Sequence, residues 1–390
     1  MDSSRTRALW IFALIATLGL TGIVACGGDD SEPAPTDTAD DAFSEAIPDA
    51  DVLGLELAES GGAAQGLEFD STQQALDGQP SRVAEHASRT LDRVNRARAV
   101  VMDLVEAART NSPGEDVKIG ALTCREWVHQ ADNNTWQLSS CLRAGGARGY
   151  SFVLKGKPND AEDSAYKVVM AGDGVALPRH EGRRRGAGRI GFNLDNFNTL
   201  TGEGPTGKMG IGYRAAGRFR QLTVGLKDFT PVDGTDSFSA LYRYNHLIGV
   251  GGILKFIFEA DVLSVDGNGA LSETKDDVDE LGRVAMGWTR TGKARIAGIV
   301  CGGSLGDGNC KHMRQCYDTD EVVTFESLTD DENPVDWDAT ACPGEAEFGD
   351  LPELPEEPPT DGELAPPAAG GDAGAPDVAE PQADAALEGM

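Results

Sequence analysis

Cysteine is the residue type in this 390-residue chain with the most chemistry open to it, and there are seven of them. Cys26 stands apart, at the end of an apolar run. The other six are Cys124, Cys141, Cys301, Cys310, Cys316 and Cys342, an even number that in an exported chain reads as disulfides. One pair follows from register. Asp132-Asn133 lies midway between Cys124 and Cys141, and a two-residue turn there pairs positions whose numbers sum to 265. Cys124 and Cys141 then stand directly opposite each other, at the separation a disulfide needs. The remaining four allow three pairings. A zinc site of Cys301, Cys310, His312 and Cys316 is the rival chemistry, without the CxxC spacing that would support it.

Four further motifs have the form of sites but lack essential parts. Residues 202–209, GEGPTGKM, approach a phosphate loop, but Met209 replaces the hydroxyl that would hold magnesium, and a strand pattern follows where a helix is needed. GGSLG at 302–306 matches the frame of a nucleophile elbow around Ser304, yet only His312 follows, in a Cys-rich stretch, so a disulfide-bound loop is expected. SVDGNGALSETK at 264–275 resembles a calcium loop that has Ser264 and Lys275 where carboxylates belong. HEGRRRGAGR at 180–189 gathers Arg183, Arg184, Arg185 and Arg189, either as a solvated loop or against anionic headgroups or the chain's own acidic segments. Trp127, His129, Trp136 and Leu138 share a face under the 265 register, as core or as an aromatic platform. The five histidines show no metal spacing, and no residue is assigned to catalysis, to a metal or to a cofactor.

The N-terminus must position Cys26. Arg5 and Arg7 precede the apolar run 8–25, ALWIFALIATLGLTGIVA, a basic region followed by a hydrophobic one, as in a secretory signal. The run is also long enough, at 18 residues, to span a bilayer. Ile23, Val24, Ala25 and Cys26 close it, and here the sequence resembles the bacterial lipoprotein signal family at all four positions of the lipobox. The resemblance implies cleavage before Cys26, diacylglycerol on its sulfur and acylation of its amine, with the bilayer as partner. Two or more chains anchor stably where one does not. Gly27 is similar to the outer-membrane default of that family, and Asp29-Asp30 to surface-export signals, which implies a periplasmic or surface-facing lipoprotein of the cell envelope.

The net charge of -30 excludes nucleic-acid binding driven by bulk electrostatics. It is also unevenly placed. Residues 27–80 hold 14 acids and residues 345–390 hold 13, neither with any Lys or Arg, which leaves residues 81–344 at -4. The flanks are poor in large apolar residues and cannot offset the entropy of ordering. The sequence thus divides into a signal (1–25), a lipidated disordered acidic tether (26–80), a globular body (81–344) and a disordered acidic, Pro-rich tail (345–390).

Within the body, Val83, Ala87, Leu91, Val94, Ala97, Val101, Leu104, Val105 and Ala108 recur at helical spacing over 81–111, bounded by Pro80 and by Asn111-Ser112-Pro113-Gly114. Beyond Pro113 the period becomes two, in ten to twelve segments joined by short Gly, Asp, Asn and Pro turns. These predict a mainly β fold, an antiparallel meander forming a curved sheet, half-barrel or barrel, with the amphipathic helix packed on it. Glycines on the outer phase, as in GKMGIGY and RVAMGW, suit strong curvature. The architecture is similar to bacterial lipoprotein-carrier half-barrels, and the stretch from Val284 to about Ser327 resembles uncharacterised lipoproteins of delta-proteobacteria, which brings no function with it. The expected role is a non-enzymatic binding module for an apolar or lipid-like ligand, with Phe192, Tyr213, Tyr242, Phe256, Phe258 and Trp288 as inward candidates. The alternative is a structural or surface-interaction lipoprotein with a solid β-core, and a remote one an envelope hydrolase.

Overall fold

Alternation of large apolar residues with Gly, Arg and Lys produces strands with one buried face. In the computed structural model these strands form one antiparallel sheet. The structure describes Phe43, residues 46–57 and residues 82–351, apart from 121, 143–148, 181, 233, 235–236, 261–263, 266–270, 273–277, 321 and 330–335. The signal, Cys26 and residues 352–390 lie outside the described residues.

A four-residue helix, α1 (Ala50–Leu53), precedes the long helix α2 (Arg82–Asn111). Then follow β1 (Glu115–Ile119), β2 (Leu122–Ala131), β3 (Asn134–Leu142), β4 (Gly149–Pro158), β5 (Lys167–His180) and β6 (Arg183–Asn193). A short helix, α3 (Leu194–Thr201), leads into β7 (Thr206–Ala216), β8 (Phe219–Thr230), β9 (Phe238–Leu247) and β10 (Gly251–Ala260). A small hairpin, β11 (Ser264–Val265) and β12 (Leu271–Ser272), stands apart. The sheet resumes with β13 (Glu280–Thr289), β14 (Ala294–Cys301), β15 (Cys310–Tyr317) and β16 (Val323–Thr329). Fourteen strands pair in chain order from β1 to β16, and the two end strands do not pair with each other, so the sheet is an open meander. Among the described residues, no helix is long and apolar enough to cross a membrane.

The concave face carries the core, and α2 lies on it. At about 1.5 Å per residue its 30 residues extend roughly 45 Å. Most of the expected stripe is buried, from Ala87 and Leu91 through Val101 to Val105 and Ala108, while Leu104 is half-buried at its margin and Ala84 joins it. Thr90 hydrogen-bonds the Tyr242 hydroxyl on β9, and Asn95 bonds both the N–H and the carbonyl of Leu55. Residues 46–57 lie beside α2 as a strap. The Tyr244 hydroxyl meets the Glu56 backbone, while Phe43 and Ile47 offer carbonyls to Ser140 and Arg184.

Three local features differ from the sequence expectation. A period of two would place Tyr166, Val168 and Met170 on one face, but a β-bulge leaves Val169 without a partner in the β4–β5 ladder and turns Val168 outward while Val169 and Met170 are buried. His312 lies on strand β15 rather than in a loop. The ordered body is also larger than composition indicates. It takes in residues 46–57, within the expected tether, and 345–351, within the expected tail. Window averages miss single anchors such as Ile47, Leu53, Leu55 and Phe348, all buried.

Candidate functional site

The six cysteines that follow Cys26 form three disulfides. Cys124–Cys141 joins β2 to β3 in the expected register, with Asp132 and Asn133 both at positive φ (50° and 63°) in the turn. Cys301–Cys310 closes the turn between β14 and β15, and Cys316–Cys342 ties β15 to the segment that follows β16. The sulfurs of the suggested zinc cluster are thus held in disulfides. Ser304 lies in a 3-10 turn between two strands rather than at a strand-to-helix elbow, and both its N–H and its hydroxyl donate to Glu280 (3.0 and 2.9 Å). Gly202 caps α3 in the left-handed conformation, so GEGPTGKM is a helix end running into β7. Of the calcium-like loop, β11 and β12 are a hairpin whose tip lies outside the described residues.

All six proposed ligand-facing aromatics project to the concave side, and all are buried. Phe192, Tyr213, Tyr242, Phe256, Phe258 and Trp288 are 0–7% exposed and belong to one core with the α2 stripe. An open apolar cavity beside them would leave their ring atoms accessible to a water-sized sphere. Trp127, Trp136 and Leu138 are core residues as well. The indole N–H groups of Trp136 and Trp288 are buried with no acceptor among the described residues, an arrangement uncommon enough to require an explanation.

Sequence reading missed the glycines on the inner phase. Tyr150, Gly174, Gly188 and Tyr213 form one cross-strand row from β4 to β7, and the two hydroxyls hydrogen-bond each other over the glycines. Trp136 covers Gly156, where an added Cβ would come within 2.6 Å of the ring, and Trp288 likewise covers Gly252. The large rings fit because their neighbours have no side chain. The spacing of these glycines carries no signal until the register is known.

The second concentration of functional groups is a half-open cleft of about 310 Å³ at one end of the lumen. The meander brings the β5–β6, β7–β8 and β9–β10 turns to this same end. Arg179, Arg183, Arg184, Arg220 and His246 line it, together with Asp49 and Glu56 from the strap. Arg220 and His246 register opposite each other, followed by Gly252 and Trp288 in the same inward row. Arg184 turns inward to Asp49 (2.7 Å) and the Ile47 carbonyl (2.7 Å), and Arg189 pairs with Asp173 (2.7 Å). The arginine run is therefore built into strand β6, not a solvated loop. Arg218 in the β7–β8 turn clamps the Ile248 carbonyl in the β9–β10 turn with two nitrogens.

On the convex face residues 336–351 form a clasp over β14–β16. Arg295 bonds Glu345 (2.7 Å) and lies against the rings of Trp337 and Phe348, Arg314 also lies over Trp337, and Lys293 bonds Glu347 (3.0 Å). No protein-family model, curated protein or solved structure matches the chain.

Proposed function

We propose that this chain is an exported bacterial lipoprotein, acylated on Cys26 and held at the outer membrane, whose half-barrel works without catalysis as an interaction body. The observation that carries the proposal is Ile23-Val24-Ala25-Cys26, directly behind a basic region and an 18-residue apolar run. Three disulfides support an oxidising compartment. For the body, the filled lumen supports the structural, surface-interaction role over an open carrier. Helix α2 and the strap occupy the space an acyl chain would take, and the six aromatics are packed beneath them. One observation favours the binding module as a second reading. The orphan indole N–H groups of Trp136 and Trp288 are donors that an occupant of the lumen would satisfy.

The anchor is tested by labelled-palmitate incorporation and intact mass in the native bacterial envelope, for the wild type and for Cys26→Ala. Label on the wild type alone, with residues 1–25 removed, supports the proposal. An unlabelled wild type of full translated mass overturns it. Native mass spectrometry of the detergent-purified chain separates the two roles of the body: no retained lipid beyond the anchor supports the solid core, and one lipid per chain supports the binding module.

A further inference from the structure

The chain carries a formal charge of -30, yet its two ends differ. At the end of the sheet where the β5–β6, β7–β8 and β9–β10 turns meet, the hairpins bear Arg179, Arg183, Arg184, Arg185, Arg218 and Arg220. At the opposite end the connections and strand ends bear Asp132, Asp163, Asp195, Glu203, Asp228 and Asp279 beside Lys157, Lys167, Lys208 and Lys227. A strictly alternating meander sends every second turn to the same end, so the arginines of three neighbouring hairpins gather there, although the β15–β16 turn at that end carries Asp318 and Asp320. The basic end is concave where it matters. The 310 Å³ cleft there places four guanidinium groups and His246 around one opening, against the two carboxylates Asp49 and Glu56. Asp49 and Arg184 pair with each other, so Arg184 shapes the wall while Arg183 and Arg220 are the arginines proposed to meet the ligand. The walls are also held in place. Arg218 ties two of the turns together, and the strap closes the floor through Arg184 and Tyr244.

The same end receives the N-terminal part of the chain. Phe43 bonds Ser140 near the end of β3 that faces this way, and Arg125 lies over its ring. Phe43 lies only 17 positions after Cys26, a span of at most about 60 Å when fully extended. A body tethered at Cys26 therefore holds its arginine-lined mouth within reach of the bilayer surface.

We propose that this cleft is a docking site for the phosphate of an anionic lipid headgroup, which turns the basic end of the half-barrel toward the membrane. Guanidinium groups recognise phosphate oxygens through paired, directional N–H donors, and several converging on one opening favour a phosphate over a diffuse anionic atmosphere. The proposal deepens the lipoprotein reading and rests in part on it, since the tether is what brings the cleft to the bilayer. An acidic protein that must lie close to an anionic surface needs one face that is not repelled, and this is the face with that charge.

The test is hydrogen exchange of the full chain in nanodiscs of phosphatidylcholine alone or mixed with phosphatidylglycerol. Amides of the turns at 217–218 and 248–250 are expected to exchange at least about threefold more slowly with phosphatidylglycerol. Arg183→Ala/Arg220→Ala should abolish that difference, whereas Lys167→Ala/Lys208→Ala, an equal charge loss at the opposite end, should leave it intact. Equal loss in both double variants would reduce the effect to bulk charge and overturn the site. Slowing by inorganic phosphate in phosphatidylcholine discs to the same degree would overturn the headgroup assignment in favour of a free anion. Protection that is the same in both discs and lost on arginine removal in both would assign the cleft to the chain's own acidic segment. The mass of the Cys26 peptide in the same map reports acylation separately, so failure of the anchor and failure of the cleft are distinguishable.

Discussion

Tyr150 and Tyr213 reach toward each other across two glycines and share one hydrogen bond inside the core. Burial pushes Tyr150 up to about 12, with the Tyr213 hydrogen bond and Arg184 pulling the other way, and burial likewise raises Tyr213 well above 10. Tyr242 and Tyr244 are raised by the same cause. The consequence for stability has a definite sign. A group whose folded pKa lies above its unfolded value of about 10 contributes fully below pH 10 and loses that contribution as pH rises toward the folded value. Denaturant midpoints should therefore be flat up to about pH 9 and fall between pH 10 and 12, with Tyr150 alone accounting for roughly 3 kcal/mol between its unfolded and folded values. Tyr213→Phe should remove part of the slope. A stability that rises through this range would contradict the buried, neutral state of these phenols.

Among the elements, the clasp shows how a polar segment becomes part of a fold. Residues 336–351 have few apolar side chains, but Phe348 is buried and Cys342 is bonded to Cys316 on β15. Two arginines of the convex face stack on its rings, a pairing that gains from desolvation. With a sequence separation of 26, the Cys316–Cys342 link lowers unfolded-chain entropy by an amount equivalent to about 3.5 kcal/mol in the loop-closure model. Replacing both cysteines with serine should lower the unfolding free energy by roughly 2–4 kcal/mol. It should also open 336–351 to limited proteolysis while the hairpin bonded by Cys124–Cys141 stays resistant. Unchanged cleavage would mean that the arginine–ring stacking alone holds the clasp. The α2 helix needs no such link, because its stripe of Ala, Val and Leu runs over about six turns from Ala87 to Ala108 and packs into the core.

For the whole molecule, charge and packing are separated in space. Removing residues 352–390 takes away 10 acids and no base, moving the net charge from -30 to -20. Since the described contacts end at Leu351, a chain truncated there should unfold at the same denaturant midpoint in high salt. In low salt it should gain stability, as self-repulsion weakens. A lower midpoint in high salt would show that the tail packs on the body. The open meander also sets the reach of the functional proposals. Its lumen is filled from within by α2 and the strap, and its basic mouth opens as a cleft at one end.

Whatever depends on neighbours a few residues apart was legible in the linear chain. The stripe of α2 could be read from a 3.6-residue period. The strand faces could be read from a period of two, and the Cys124–Cys141 link from a turn whose residues tolerate positive φ. The expectation for Cys26 rests on such local information too. Only the tertiary structure decided how the other four cysteines pair. It alone brought Gly174 and Gly188 between two tyrosines, and Arg183, Arg184 and Arg220 around one cleft. These outcomes depend on register accumulated across many strands and on which face a bulge such as Val169 turns inward. A single shifted residue reverses every side chain after it, so no local pattern contains the answer.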